Sequence, residues 1–203
     1  LLSATGLLKD LNTTGSLSLE AFFNPSYASA TDRNQVILAF GPSATGTFVY
    51  RLDYDQAGKL GLKFTTGTSP IVSNEVLDTS GATYTNNTWY HLAMTRDTSS
   101  NEVRFYRNGR LLSTVSNSTA LQQYTPSYVW VGSMNTTGTK AIGHIDSPAI
   151  YGRALPKRAV KQRAGAVLVN TTNPAPTVSS VAPTSAGQSC TVPTPYNITW
   201  TSD

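Results

Sequence analysis

The sequence predicts an all-β protein, an antiparallel sandwich or jelly roll with a short capping helix, followed by the first strands of a second β-sandwich. Three observations support this prediction. Apolar and polar residues alternate along most of the chain, the segments between these runs are short and rich in turn residues, and Ser and Thr make up 51 of the 203 residues. Alternation with a period of two is typical of half-buried strands, and hydroxyl residues favour strands and turns over helices.

The predicted strands follow one another along the chain. The clearest alternation of apolar side chains predicts strands at 17–23, 48–54 and 60–64. Further strands are predicted at 36–40, 89–96, 101–107, 110–115, 128–132 and 141–151. The turn DQAG at 55–58 and the dipeptide Asn108-Gly109 each join a hairpin, and this dipeptide suits the positive φ angles of a type I′ turn.

One short helix is predicted among these strands. Leu155-Pro156 precedes the segment KRAVKQRA and Gly165 follows it, which fits Pro near a first turn and Gly just past the end. Ala159 and Val160 are expected to face the sandwich. The basic residues of the helix are interpreted as a solvated face, with contact to an acidic glycan or a partner as the alternative; they are Lys157, Arg158, Lys161 and Arg163.

Composition excludes several classes of protein. The net charge of +4 is mild and most cations are scattered, so no nucleic-acid partner is predicted. No apolar run reaches the roughly 18 residues that a membrane helix needs. With 39% apolar residues the chain can form a core, which excludes disorder. The chain lacks a starting Met and a charged region before an apolar run, so we expect a mature or trimmed segment.

Three motifs follow one another in a specific order and spacing. They are WYH at 89–91 entering a strand that ends in TRD, the hairpin YRNG at 106–109, and GHID at 143–146 followed by YGRAL. In this order they resemble the laminin G-like branch of the concanavalin A-like lectin/glucanase superfamily, over roughly residues 15–165. The resemblance implies two facing antiparallel sheets. It leaves function open, because the superfamily includes lectins, adhesion modules, glycosidases and structural spacers.

The composition changes after the predicted helix. We predict a complete sandwich at 1–165, a linker at 166–177 and an incomplete immunoglobulin-like domain at 178–203. Cys190 precedes Trp200 by ten residues, similar to the Cys and Trp of immunoglobulin-like sandwiches. A disulfide from Cys190 to a residue outside this segment is one interpretation, and a buried free thiol is the other.

The carboxylates do not match those of an enzyme on this fold. A glycosidase needs two carboxylates flanking the scissile bond. The glucanases of the superfamily carry them on one strand as Glu-x-Asp-x-x-Glu, whereas Glu20, Glu75 and Glu102 each stand alone in a strand. Asp53 and Asp55 share a strand face but lead into a turn, and we interpret them as a solvated hairpin end. No enzyme activity is predicted.

Candidate metal ligands are few. Two His and one Cys make no zinc set. His91 is interpreted as a packing residue and His144 as facing outward. The resemblance implies calcium as the ion to consider, with Asp146 as its candidate ligand. The family usually has an acidic residue after this Asp, whereas Ser147-Pro148 follow here, and the alternative is that Asp146 caps a turn or pairs with an Arg.

Six acceptors of the form Asn-x-Ser/Thr mark candidate N-glycosylation sites, namely Asn12, Asn86, Asn117, Asn135, Asn170 and Asn197. Roughly three would arise by chance in so hydroxyl-rich a chain. All but Asn197 fall in predicted loops or the linker, where a bulky glycan is tolerated. This pattern favours a glycosylated surface, with an unglycosylated bacterial or phage protein as the alternative.

The predicted function is a non-catalytic adhesion or assembly module of a larger secreted or cell-surface glycoprotein, including a filament subunit. Its partners would be other copies or modules of the same surface assembly. One alternative is a carbohydrate-binding module, in which Tyr84, Tyr124 and Tyr128 stack on glycans and calcium orders the loops. Another is a phage or bacterial surface fibre domain. The predicted location is extracellular or at the cell surface, with no membrane span in this segment.

Overall fold

A computed structural model describes residues 2–3, 15–26, 35–41, 50–54, 59–66, 72–119, 128–133 and 140–168. In these residues the chain forms eleven β-strands and one α-helix. The strands are β1 Leu2–Ser3, β2 Leu17–Pro25, β3 Gln35–Gly41, β4 Tyr50–Tyr54, β5 Leu60–Thr66, β6 Val72–Leu77, β7 Tyr90–Asp97, β8 Glu102–Arg107, β9 Arg110–Ser116, β10 Tyr128–Val131 and β11 Gly143–Tyr151. The helix α1 is Lys157–Leu168.

The strands form two antiparallel sheets. One sheet has six strands in the order β1-β10-β3-β4-β5-β6, and the other has five in the order β11-β2-β7-β8-β9. Strand β2 lies between β7 and β11, so strands far apart in the chain become neighbours. The predicted fold class, an antiparallel sandwich with one short helix, is confirmed.

The hydrophobic core lies between the sheets and consists mainly of alternate residues of their strands. Leu17, Leu19 and Phe23 of β2 belong to one cluster with Leu52 and Phe64 of the opposite sheet, and all five are fully buried. Each such side chain contributes about 1.5–3 kcal/mol when it leaves water. The alternation predicted from the sequence is confirmed, and it places the other residues of each strand on the outer faces of the sandwich.

Two strands, β1 and β6, have no predicted counterpart. Strand β1 is only two residues long. In β6, Asn74 lies between Val72 and Val76 at the spacing where a third apolar residue would continue the alternation. Strand β6 is also at the edge of its sheet. The other nine strands are confirmed, while the predicted turn at 55–58 lies outside the described residues.

The predicted type I′ turn at Asn108-Gly109 is confirmed, with φ angles of 50° and 73°. His91 N–H donates to Asn108 Oδ1 at 2.9 Å, and Asn108 N–H donates to His91 O at 2.8 Å. A Cβ on Gly109 would lie only 2.8 Å from the Cα of Lys161 in α1. Glycine is therefore needed both for the turn and for the close approach of the helix.

Helix α1 covers part of the outer face of the five-stranded sheet. Its start at Lys157 agrees with the prediction, but the predicted end at Gly165 is wrong, because the helix continues to Leu168. Gly165 therefore lies inside the helix and does not cap it. A second buried cluster joins the helix to the sheet and consists of Ala93, Tyr106, Leu155 and Val160.

Replacing Gly165 by Ala is expected to raise the free energy of unfolding by about 0.5–1 kcal/mol, because Ala loses less backbone entropy than Gly in a helix. An added Cβ meets no atom within 4 Å at this position. Urea denaturation followed by circular dichroism measures the change. Ala164→Gly, at the buried neighbouring position, is the matched control and should lower stability. A lower stability of Gly165→Ala would contradict a helical conformation at residue 165.

The structure describes only three residues beyond the domain boundary predicted at residue 165. Helix α1 includes residues 166–168, which were assigned to the linker. The remainder of that linker and the predicted immunoglobulin-like domain at 178–203 lie outside the described residues and stay predictions. Within the described ranges, no helix is long and apolar enough to cross a lipid bilayer.

Candidate functional site

Exposed large hydrophobic side chains gather at one end of the sandwich. Among the described residues they are Trp89, Val131 and Ile142, which are exposed by 42%, 43% and 39%. Trp89 directly precedes β7, Val131 ends β10, and Ile142 directly precedes β11. Gathered apolar side chains of this kind mark interaction sites, whereas single scattered ones are ordinary.

Backbone hydrogen bonds through the end of β2 hold the Trp89 and Ile142 segments next to each other. Asn87 N–H donates to Pro25 O at 2.7 Å, two residues before Trp89. Ser26 N–H donates to Ile142 O at 2.9 Å. The end of β2 is therefore bonded to the turn before β7 on one side and to the start of β11 on the other.

A further hydrogen bond joins the segment that carries Val131 to the segment that carries Ile142. Ala141 N–H donates to Gly132 O at 2.6 Å, which joins the residue after Val131 to the residue before Ile142. Ile142 N–H donates to Oε1 of the fully buried Gln35 at 2.9 Å. These bonds fix the backbone, so the loops that carry the exposed side chains need little ordering when a partner binds.

His144 lies beside Trp89. Their ring centroids are 6.4 Å apart and their planes are inclined by 39°. His144 is exposed and pairs with Asn24 of β2, which confirms the prediction that it faces outward. We call four exposed side chains the Trp89 surface: Trp89, Val131, Ile142 and His144.

The position of His144 depends on the glycine before it. Gly143 has a φ of 135°, and an added Cβ would lie 2.0 Å from the carbonyl oxygen of Asn24. No other residue fits here without moving the backbone. The glycine of the GHID motif therefore permits the close approach of β11 to β2 that places His144 next to Trp89.

Amide groups lie close to the two rings. Oδ1 of Asn24 is buried and has no hydrogen-bond partner among the described residues. Asn86 is half-buried and Asn87 exposed, in the turn that leads to Trp89. An exposed indole offers an apolar face, and amides offer neutral donors and acceptors. A sugar ring presents the same two chemistries, apolar C–H faces and hydroxyl groups.

The buried carboxylate of Glu20 connects α1 to the five-stranded sheet. Glu20 accepts a hydrogen bond from Tyr151 Oη at 2.9 Å and another from Arg163 Nε. Its other oxygen lies 3.4 Å from Nε2 of His91, which is buried as predicted for a packing residue. Burial acts to raise the pKa of Glu20, but these three contacts outweigh it and hold the pKa below its usual value. The geometry indicates a structural role.

The predicted solvated hairpin end at Asp53 is wrong. Asp53 is fully buried on the outer face of β4, between Arg51 and Lys63. Lys63 Nζ lies 3.4 Å from Asp53 and 3.1 Å from Glu75. Arg51, Lys63 and Glu75 form one row because they pair in register across β4, β5 and β6. Burial raises the pKa of Asp53 despite the two cations. Asp55 lies outside the described residues.

Two of the six candidate glycosylation sites are described. Asn86 lies in the turn before β7 and Asn117 directly follows β9, so both are outside strands as predicted. Several other predicted sites lie outside the described residues, namely Asn12, Asn135, Asn170, Asn197 and Cys190. Glycan occupancy and the external disulfide of Cys190 stay predictions.

Asp146, the candidate calcium ligand, is exposed in β11 at an irregularity of its pairing with β2. Its Oδ1 accepts a hydrogen bond from Ser147 N–H at 2.7 Å, which fits the turn-capping interpretation. Calcium takes six to eight oxygen ligands. No group of three His, Cys, Asp or Glu side chains within the described part of the chain could hold a metal ion. A calcium site at Asp146 would need ligands from elsewhere.

Two of the three tyrosines predicted to stack on glycans are described, and neither is classed as exposed. Tyr84 is 7% exposed and meets the ring of Tyr90 edge-on at 5.1 Å, so a stacking role for Tyr84 is wrong. Tyr128 is half-buried in β10, and Tyr124 lies outside the described residues. Among the described Phe, Tyr and Trp residues, the exposed ring is that of Trp89, which was predicted to lie in a strand.

The sequence as a whole matches a known family. A laminin G family model, described as concanavalin A-like lectin/glucanases superfamily, matches residues 3–161. The chain belongs to this superfamily. The resemblance seen in the three motifs of the concanavalin A-like domain is thus confirmed. No curated protein sequence is significantly similar to the chain.

Several solved structures share the fold of this concanavalin A-like domain. The CBM40 of the Ruminococcus gnavus IT-sialidase has a TM-score of 0.56 at 16% identity, over 77% of this chain and 84% of that one. Domain 4 of AbnA, a GH43 extracellular arabinanase from Geobacillus stearothermophilus in complex with arabinotriose, gives 0.54 at 20% identity, over 76% and 69%. The native heptameric SAP-like pentraxin from Limulus polyphemus gives 0.52 at 16%, over 73% and 69%. At these identities the likeness shows the fold alone.

Proposed function

We propose that this domain is a non-catalytic carbohydrate-binding module that contacts a sugar through the Trp89 surface. One observation carries the proposal: an exposed Trp89–His144 ring pair is held by a hydrogen-bonded backbone and lies among amide groups. Two of the structural neighbours are a carbohydrate-binding module and a domain solved with arabinotriose, which supports the ligand class.

The exposed indole supplies most of the expected binding energy. Covering the exposed part of one Trp side chain, on the order of 100 Å², contributes about 2–3 kcal/mol. A neutral hydrogen bond from the exposed Asn87 to a hydroxyl group would add about 0.5–1.5 kcal/mol and help to select the sugar. Because the groups near Trp89 are mostly neutral, the proposal favours a neutral sugar.

Replacing Trp89 by Ala is expected to weaken sugar binding at least about tenfold, since the loss exceeds about 1.4 kcal/mol. Trp89→Phe keeps part of the apolar face and should retain measurable binding. A glycan array identifies a ligand for the wild-type chain, and isothermal titration calorimetry then compares the variants with it. His144→Ala should weaken binding less, because the imidazole is the smaller ring.

Two results would contradict this function. One is a uniformly flat glycan array for the wild-type chain. The other is unchanged affinity in Trp89→Ala. Thr114→Ala is the matched control for a general surface effect, because Thr114 is exposed in β9, away from this end of the sandwich, and its affinity should equal that of the wild type.

The aliphatic residues of the Trp89 surface favour a second candidate function, adhesion or assembly with another copy or module of the same surface assembly. Val131 and Ile142 expose apolar area that makes no hydrogen bond to a sugar, and such area is typical of protein contacts. Analytical ultracentrifugation of the wild type and of Val131→Ser/Ile142→Ser tests it. Self-association that the double variant abolishes supports assembly, and a monomer at every concentration contradicts assembly between copies.

The arrangement of carboxylates supports a non-catalytic role. Glycosidases place two carboxylates about 5–9.5 Å apart around the scissile bond. In the described part of the chain, the buried carboxylates Glu20 and Asp53 lie on different sheets and are each paired with cations, and the third, Asp78, accepts hydrogen bonds from Ser80 and Ser113. An extracellular or cell-surface location fits the superfamily and the glycosylation acceptors. A mass shift of the native protein on treatment with an N-glycosidase tests it, while a bacterial or phage fibre domain would show none.

A further inference from the structure

Five exposed cations lie on and beside α1, and we call them the α1 cationic surface: Arg110, Arg153, Lys157, Arg158 and Lys161. None of them forms an ion pair with any residue in the described ranges. By contrast, Arg163 on the same helix is paired with Glu20. The net charge of the whole chain is only +4, so this surface concentrates the positive charge of the protein.

Packing of three segments brings these cations together. The turn at Gly109 touches the backbone of Lys161, which places Arg110 beside the helix. Ser18 Oγ donates to Arg153 O at 2.9 Å and accepts from Leu155 N–H at 2.8 Å, which fixes the segment before the helix against the sheet. Lys157 and Lys161 are one turn apart, with a rise of about 6 Å along the helix axis.

The cations in the first turn of α1 do not stabilise the helix. Lys157 and Arg158 lie in its first turn, where the helix dipole favours acidic residues, and that turn has none. The apolar side chains Val160 and Ala164 face the sheet and are buried. These cations oppose the preference of a helix start for acidic residues and do not improve the packing of the helix, which indicates that they serve binding.

We propose that the α1 cationic surface binds an acidic polysaccharide, a polymer that carries carboxylate or sulfate groups. Several separate cations suit a chain with repeated charges better than a single anion. The exposed amide of Gln162 lies among them and can bond to hydroxyl groups. A lipid surface is disfavoured, because Val160 and Ala164 are covered by the sheet and offer no apolar group for insertion. This site is separate from the Trp89 surface.

The test measures binding of the full chain to immobilised polygalacturonate, with neutral dextran as the reference polymer, at about 0.05 M salt. The variant Lys157→Gln/Lys161→Gln should bind at least about fivefold more weakly and show a shallower dependence on salt. The control Lys59→Gln/Lys140→Gln removes the same charge away from α1 and should bind as the wild type does. Trp89→Ala should also leave this affinity unchanged, so the two sites can fail separately.

Four results would overturn the proposal. They are absence of binding to polygalacturonate, equal binding to dextran, equal losses in the two double variants, and tighter binding to a DNA duplex than to the polysaccharide. The last would assign the surface to nucleic acid. Circular dichroism spectra establish that both double variants fold, which is expected because none of the four lysines is buried.

Discussion

Replacing Glu20 by Gln is expected to lower the free energy of unfolding by about 2–3 kcal/mol and to loosen α1 from the sheet. The carboxylate is buried, accepts hydrogen bonds from Tyr151 and Arg163, and lies 3.4 Å from His91. Gln keeps the size and one acceptor oxygen but loses the charge. The Arg163 side chain is 44% exposed, so water replaces part of its lost interaction and limits the effect.

Urea denaturation measures the loss of stability in Glu20→Gln, and hydrogen exchange of the α1 amides shows whether the helix is the part that becomes less stable. Glu102→Gln is the matched control, because Glu102 pairs with Arg104 where both side chains are about one-third exposed, and its loss should stay below about 0.5 kcal/mol. Equal losses of stability in Glu20→Gln and Glu102→Gln would contradict the role of the buried carboxylate in holding α1 to the sheet. Faster exchange in α1 should appear in Glu20→Gln alone.

The pH dependence of the folding stability follows from the direction in which the pKa of Glu20 is shifted. The pKa of Glu20 in the folded protein lies below its usual value near 4.5, so its contribution is complete above that value and is lost as the pH falls through the lower, folded pKa. Asp53 acts in the opposite direction, because burial raises its pKa and favours the folded state at low pH. The difference in stability between wild type and Glu20→Gln isolates the first effect, and it should shrink below about pH 4.5.

The core could be predicted from the sequence because it depends on local periodicity. Alternation along one strand decides which residues share a face, and the inward residues of β2, β4 and β5 follow it without any knowledge of their partners. The turn at Asn108-Gly109 has the same local origin, since its dipeptide tolerates positive φ. The predicted end of α1 was wrong because a glycine that follows a basic turn often ends a helix but does not have to.

The polar clusters could not be predicted because they depend on which strands become neighbours. Glu20 meets Tyr151 and Arg163 across 131 and 143 residues of chain. Asp53 pairs with Arg51 of its own strand, and the register of β4 with β5, which sets Lys63 opposite Arg51, brings Lys63 within 3.4 Å of Asp53. Sequence spacing carries no signal for the contacts of Glu20 or for the contact of Asp53 with Lys63; it indicates only that Arg51 and Asp53 share a strand face.

The Trp89 surface is an intermediate case. Alternation with the inward residues of β7 already puts Trp89 and His91 on the outer face. His91 is 1% exposed and Trp89 42% exposed, although they are two residues apart. Only the packing around each residue decides which of them meets solvent, and that information is tertiary.

Replacing Gly143 by Ala is expected to lower the free energy of unfolding by about 3 kcal/mol or more, and to weaken sugar binding with it. An added Cβ would lie 2.0 Å from Asn24 O, a contact that only a shift of β11 away from β2 relieves. That shift moves His144 relative to Trp89. The effects on stability and on binding therefore have one cause.

Gly81→Ala separates this close approach from backbone strain. Gly81 has a φ of 71° and no atom within 4 Å of an added Cβ, so Ala there suffers the strain of positive φ alone, about 1–2 kcal/mol. Denaturation of both variants and titration of both with the sugar found for the wild type make the comparison. If Gly81→Ala loses as much stability as Gly143→Ala, the close approach is not what requires glycine in GHID. The shift of β11 that relieves the clash must also move the ring of His144. If Gly143→Ala nevertheless binds sugar as the wild type does, sugar binding does not depend on the placement of His144.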